Sequence, residues 1–471
     1  MDLNYKHPLY EANIEDWNFY RASFHGGSEY RSPSLGMLRK YLFEDSAPGD
    51  QYDKRLEYTS MDNLVKLMID TYRSYLFKTT PVRTFGYLQD DIMINRFLTD
   101  VDFDGQDLND FMKQANDMAT IYGQVWILVT KGAAEGVITR EQEIEADIRP
   151  YAKIFTPEHV CDWEYTKQLN GSEILTYVKT KEWVDEETIR YIVWTPEVFV
   201  SYLYDTENDN IVDLEETPNR IGRVPFVCLR ANPSQYKGVG ISDVADVAKQ
   251  QQAIFNLLSE AEQGIRISNH PTLVKTEGTL ATAGAGAVIQ IDDTIDPQLK
   301  PYLIEPSGTN IESIRSMIEV NVQAFLRSTH LGAVMAERGF SAKSGIALQT
   351  EFEMLNTRLG DKAAKMEQAE HAMWNLFWLW SGLQADEEFA VEYKKSFDLR
   401  DEHADVALYS KALELGIDSP EYIKAIHKQI AKVVIENGDD LQVILNEIEN
   451  LDPRIIEPIL ENIETDDGEV S

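Results

Sequence analysis

Apolar residues return every three or four positions over several long stretches of this chain. Between Met61 and Phe77 the positions Leu64, Leu67, Met68, Tyr72, Tyr75 and Leu76 follow that period, which predicts an amphipathic helix capped by Thr59 or Ser60. A second helix is predicted from Leu108 to Tyr122. From Ser242 to Ser268 a heptad runs through Val244, Val247, Gln251, Ile254, Leu258, Ala261 and Ile265, so one stripe of that helix packs lengthwise on a neighbour. Asn310 to Arg327 carries a stripe of the same kind in Ile311, Ile314, Ile318, Val322 and Phe325. The longest pattern starts after Ser344, its expected cap, and keeps Leu348, Phe352, Leu355, Leu359, Ala363, Met366, Ala369, Met373, Leu376 and Trp380 on one face. At 1.5 Å per residue such a helix extends roughly 50 Å unless it kinks, for which Gly360 is the expected place.

The period changes between Gly123 and Leu229. Val125 to Val129, Ile189 to Trp194, Val198 to Tyr204 and Phe226 to Leu229 are short β-rich runs set off by turn clusters such as Asp205 to Asn210. Thr272 to Lys275, the small-residue loop 281–286, Val288 to Ile291 and Tyr302 to Ile304 predict a compact β module between the two striped helices. Residues 328–343 hold Gly332 and Gly339 and break the helical pattern, so they are expected to form a loop. Residues 1–55, rich in Tyr, Ser and Gly with Trp17 and Phe19 among polar neighbours, are read as an irregular arm that docks on something. The last segment, 401–471, has 18 acidic and 5 basic residues, a net of −13, around short helices at Ala404–Leu415, Pro420–Val434, Leu441–Ile448 and Ile455–Ile463. The class is α+β, and 471 residues imply two to four structural units.

Charge narrows the function. Lys and Arg total 44 against 80 for Asp and Glu, a formal charge of −36, which excludes a surface that attracts polyanions by general electrostatics. Apolar residues at 43% are enough for a packed interior and exclude global disorder. Cys161 and Cys228 both lie in strand-like apolar runs, which argues against a disulfide framework and fits a reducing, intracellular site of assembly. No stretch approaches 18 consecutive apolar residues and the N-terminus lacks a signal-peptide pattern, so a soluble protein is expected, neither exported nor membrane-spanning.

Candidate chemistry is sparse. Asp100, Asp102, Asp104 and Gly105 spell the start of a calcium loop, but its twelfth position is Phe111 where a bidentate Glu is required, so a turn with Asp107 as cap of the next helix is the better reading. Gly238, Gly240 and Ser242 faintly resemble a phosphate cradle without its third glycine or its lysine, and Lys343-Ser344 fails the same test. The eight histidines are scattered, no carboxylate pair stands out as a dyad, and Cys161 has no activating base, so no catalytic residue, metal site or cofactor is assigned. The cluster Trp374, Phe377, Trp378 and Trp380 reads as a packed aromatic seam or subunit contact in preference to a membrane anchor.

Several segments together, in this order, resemble the portal (head-to-tail connector) proteins of tailed double-stranded DNA bacteriophages. They are Arg223-Val224-Pro225-Phe226-Val227, Asn232-Pro233, Gly240-Ile241-Ser242-Asp243-Val244, Asn256-Leu257-Leu258 and Ser344-Gly345-Ile346-Ala347-Leu348. The resemblance covers about residues 55 to 400. It implies a portal fold with an α/β wing, a helical stem, a small β-containing clip, a long wing helix and an α-helical C-terminal crown. On this chain the parts are an N-terminal arm at 1–55, wing at 56–240, stem helix at 241–268, clip at 269–308, second stem helix at 309–327, tunnel loop at 328–343, long helix and wing at 344–400, and crown at 401–471.

The resemblance further implies a non-enzymatic, dodecameric ring at one capsid vertex of the virion, assembled in the host cytoplasm, through which double-stranded DNA enters on packaging and leaves on ejection. Expected partners are the terminase large subunit, head-completion, adaptor and tail proteins, and capsid and scaffold proteins, with no membrane. Duplex DNA carries one charge per about 1.7 Å, and a wall neutralising many phosphates would hold it fast, so the acidic balance is read as lubricating. Arg327, Arg338 and Lys343 are the cations expected to touch DNA in the tunnel loop, unless they pair with acids such as Glu337, and Gly332 and Gly339 are its expected hinges. Stem packing is assigned to Val247, Ile254, Leu258 and Ile265 against Ile314, Ile318 and Phe325, within a subunit or between neighbours. The competing reading is an acidic helical scaffold or minor structural virion protein without a DNA channel.

Overall fold

The computed structural model describes residues 3–41, 44, 51–132, 139–269, 272–274, 296, 302–304, 309–336, 345–397, 409–413, 419–434, 444, 445 and 447–449. Contacts divide the chain into two units, residues 1–397 and 398–471. In the first, the helices are α1 (Pro8–His25), α2 (Gln51–Tyr58), α3 (Leu64–Leu76), α4 (Ile92–Thr99), α5 (Leu108–Tyr122), α6 (Ala245–Asn269), α7 (Thr309–Thr329), α8 (Gly332–Ala336) and α9 (Gly345–Ser381). In the second, α10 (Pro420–Val434) buries Ile426 and Ala431, and Lys424 donates to the Glu449 carbonyl over 2.7 Å.

Two sheets build the middle of the first unit. Strands β2 (Gln124–Lys131), β3 (Pro150–Phe155) and β9 (Phe226–Arg230) form an antiparallel sheet with β2 in the centre, and β2 is buried along nearly its whole length, as its apolar run requires. Strands β4 (Val160–Lys167), β5 (Glu173–Trp183), β6 (Thr188–Trp194), β7 (Val198–Asp205) and β8 (Asn210–Pro218) make a five-stranded meander in sequence order. A short ribbon pairs β1 (Val82–Thr84) with β12 (Ala390–Glu392), and another pairs β10 (Thr272–Val274) with β11 (Tyr302–Ile304). The predicted strand Val288–Ile291 lies outside the described residues.

The core lies between α3, α5, α9 and the three-stranded sheet. Its aromatic centre packs Trp374 against Phe85, Phe97 and Phe377 at ring separations of 4.8, 5.2 and 5.0 Å. Within it Glu370 is fully buried, bonded by Arg83, by the Tyr393 hydroxyl at 2.6 Å and by the Trp374 indole at 3.2 Å, so its charge is met on every side. The tryptophan cluster of α9 is thus a packed seam, and among the described residues no helix is long and apolar enough to cross a membrane.

Four expectations are corrected. The arm is not irregular: Pro8 opens α1, His7 Nδ1 caps it by accepting from the Leu9 amide, and Tyr10 and Trp17, two turns apart, are buried in the core. The cap of α3 is Asn63, whose side chain accepts from the Lys66 amide, not Thr59 or Ser60. Helix α9 runs unbroken across Gly360, where a Cβ would come within 2.9 Å of the Lys395 carbonyl; the glycine serves close approach, not a kink. Residues 328–343 are not all loop, because α7 continues to Thr329 and α8 begins at Gly332 after a left-handed His330 (φ 57°).

Asp107 caps α5 as expected, and the Asp100 to Gly105 turn is held by its own amides, the Asp100 carboxylate accepting from Gly105 and the Asp102 carboxylate from Asp104. A guanidinium serves this loop as its cation: Arg149 bonds Asp100 Oδ2 at 2.7 Å and stacks on Phe103.

Candidate functional site

The turn before α6 brings the quoted segments together. Gly123, at the left-handed end of α5, and Gly240 meet backbone to backbone: a Cβ on Gly123 would lie 2.6 Å from the Gly240 carbonyl, and one on Gly240 would overlap the Gly123 carbonyl. Gly238, also at positive φ, lies under the Trp163 indole with no room for a side chain. These glycines are dictated by packing, which accounts for them without any phosphate. Asn232 donates from one amide nitrogen to the Ile241 carbonyl at 3.1 Å and to Asp243 at 2.8 Å, while Ser242 Oγ accepts from the Val244 amide and starts α6.

Asp243 is thereby fixed at the root of α6 with its carboxylate buried. Arg358 of α9 bonds it at 2.8 Å, and Lys362, one turn on, closes against its other oxygen while donating to Thr120 Oγ1. Burial pushes this carboxyl up, but Lys362 and Arg358 outweigh it and hold it well below the usual carboxylate range. Arg358 also donates to the Ser328 carbonyl at 3.1 Å, and Tyr72 of α3 donates to the Thr329 carbonyl at 2.7 Å. Lys365, another turn along, donates to the Ala231 carbonyl at 2.5 Å. Three cations at i, i+4 and i+7 on one helix therefore clamp the start of α6, the end of α7 and the segment that follows β9. The cluster offers no free base or nucleophile; what it can do is transmit position.

Beyond the clamp, α6 and α7 run back along each other, with Ile311 against Gly264 toward the β10–β11 end. At 1.5 Å per residue their 25 and 21 residues span about 37 and about 31 Å. Val247, Ile254 and Phe325 are buried, while Leu258, Ile314 and Ile318 are partly covered. Ile265 is 44% exposed, because the helices have outrun the core of the first unit by that turn. Met317 and Val320 are also exposed, at 51% and 57%.

The polar positions of α6 hold the N-terminal arm. Buried Gln251 donates to the Ser23 carbonyl and accepts from the Val65 amide, Asn256 joins the Met37 carbonyl to the Arg39 amide, and Ser259 receives the buried Arg55, itself paired with Glu44 at 2.8 Å.

Arg327 is exposed near the end of α7 and forms no ion pair among the described residues, whereas Gly332 is buried at the start of α8. Arg338, Lys343 and Gly339, with the Glu337 alternative, lie outside the described residues. The structure thus brings together Asp243, Arg358, Lys362 and Lys365, none assigned from the sequence. The triple of cations beside the apolar stripe of Leu355, Leu359, Ala363 and Met366 was the available signal. Helices α6 and α7 carry five acidic and four basic residues between them, so the chain's excess of anions is not concentrated on this helix pair.

A family model described as "Phage portal protein, SPP1 Gp6-like" matches residues 51–450. No curated protein matches the chain. Among solved structures, a chain of the "Neck of empty GTA particle computed with C6 symmetry" is 8% identical, with a TM-score of 0.45 over 85% of this chain and 94% of that one. A chain of the "Virion of native gene transfer agent (GTA) particle" gives 8%, 0.44, 91% and 98% for the same quantities. One from the "Neck of native GTA particle computed with C12 symmetry" gives 7%, 0.46, 77% and 89%.

Proposed function

Because this chain belongs to the SPP1 Gp6-like phage portal protein family, we propose that its copies close into a dodecameric ring at one capsid vertex, with the α6–α7 pair lining an axial passage for double-stranded DNA. The observation that carries this reading is the apolar surface left on that pair: Ile265, Met317 and Val320 stay open in the single chain, where a neighbouring copy would cover them. The wing provides the rigid outer body, and the Asp243 clamp ties the long helix to both channel helices. The segment that joins α6 to α7, residues 269–308, is the docking segment for the terminase large subunit and later for head-completion and adaptor proteins. The outer wing faces capsid and scaffold proteins, and the assembled ring is a virion component.

Arg327, with Arg338 and Lys343 in the segment that follows, supplies the few cations that meet the duplex, and Gly339 is the hinge that remains for that segment, since Gly332 is buried at the start of α8. Reversing the charge of Arg338 and Lys343 together is expected to change packaging rate or DNA retention; unchanged values of both would remove these residues from the DNA path.

The ring is tested at its contact. Met317→Asp with Val320→Asp places two carboxylates on an exposed face, so the fold should persist while rings fail to form, as read by light scattering and negative-stain microscopy. Rings of normal size in the double variant would overturn the assignment of this face.

A further inference from the structure

The five-stranded sheet has two unlike edges. At β4 the chain covers its own edge: the His7 amide donates to the Cys161 carbonyl, the His7 ring stacks on Trp163 at 4.2 Å, and buried Lys179 binds the carbonyls of Leu3 and Tyr5. At β8 nothing among the described residues does so. That strand pairs with β7 on one side only, and all nine of its residues are exposed, Val212 and Leu214 among them. A long, partly apolar edge with unpaired backbone groups is a template for another strand.

The register states what that strand must look like. On one face of the sheet the cross-strand rows are Arg190, Leu203, Asp213; then Ile192, Ser201, Glu215; then Trp194, Phe199, Thr217. This face forms the floor of a groove of about 820 Å³ whose far wall includes Trp380 and Ile221. A sixth strand beside β8 would set alternate side chains next to Asp213 and Glu215 in the groove, and the others next to Leu214 on the opposite face. The β7–β8 hairpin from Asp205 to Pro218 holds six carboxylates and neither Lys nor Arg. A second copy of this chain, at −36, is a poor electrostatic match for it.

We propose that the β8 edge and its groove dock an extended segment of another protein in which Lys or Arg alternates with aliphatic residues, added as a sixth antiparallel or parallel strand. The inference rests on the sheet alone and holds whether or not the helix pair lines a channel.

The test uses the full-length protein and a labelled ten-residue peptide alternating lysine and valine, at about 0.15 M salt so that unspecific attraction is screened. Binding is expected by fluorescence anisotropy, with slowed hydrogen exchange of the 210–218 amides. D213K/E215K, both on the exposed groove side, should weaken it at least tenfold, while Glu216→Lys on the other face should weaken it less. The same peptide with two adjacent central residues replaced by proline should bind at least tenfold less well, because alternate backbone amides of an added strand face β8 and two adjacent prolines must remove one of them. Equal binding of the proline peptide, equal binding of an alternating glutamate–valine peptide, or unchanged exchange at 210–218 would each overturn the proposal.

Discussion

Asp243 sits closed off from water between Arg358 and Lys362, and its neutralisation would leave both cations in the interior without their counterion. Asp243→Asn is expected to cost about 3–5 kcal/mol in urea unfolding followed by tryptophan fluorescence, the usual scale for breaking a buried pair from one side. Its folded carboxyl is held below the unfolded value of about 3.9, so the stabilisation is complete above that pH and is lost as pH falls through the folded value. The difference between wild type and variant should therefore stay level from about pH 5 to about pH 8 and shrink in stronger acid; a gap as large at about pH 2 as at about pH 7 would contradict the ion-pair account. Gly240→Ala is a steric case at the same turn. Its methyl meets the Gly123 carbonyl, and a loss of about 1–3 kcal/mol is expected in the same assay, with no dependence on pH.

At the scale of elements, α6 and α7 test whether the heptad stripe is what aligns the helix pair. Ile254 is buried where α6 leaves the core of the first unit, so Ile254→Asp is expected to lower the unfolding midpoint and prevent ring formation. A variant with wild-type midpoint and normal rings would refute that role. Helices with long apolar stripes, α5, α6, α7 and α9, were legible in the sequence nearly to the residue, since the period alone decides them. Helix α1 was not: its buried face is built from Tyr10 and Trp17, which composition groups with the polar tyrosine-rich arm, and its cap is a histidine. Strands β4, β5 and β8 were also missed, because an exposed or two-faced strand such as Asn210–Pro218 alternates carboxylates with aliphatics and lacks an apolar run. The clamp residues escaped for a different reason. Periodicity records which side chains avoid water, whereas Arg358, Lys362 and Lys365 are defined by partners more than 100 positions away.

For the molecule as a whole, the core of the first unit is held by aromatic packing around Trp374, and α6 and α7 are tied to it by the Asp243 cluster. Trp374→Ala is expected to cost about 3–5 kcal/mol and to destabilise the first unit without changing the charge of the helix pair. Unfolding by denaturant with the midpoint unchanged would show that the seam is not the centre of the core. The chain's excess of anions lies chiefly outside α6 and α7, so the nearly balanced wall of the passage would neither grip the duplex nor strongly repel it, and an axial path would depend on ring geometry and the few cations after α7. The most direct test is a three-dimensional reconstruction of the purified full-length protein by electron microscopy. A closed ring with an axial hole bounded by residues 245–269 and 309–329 is expected. A protein that stays monomeric at every concentration and in the presence of its capsid, or a ring in which that helix pair points away from the axis, would contradict it.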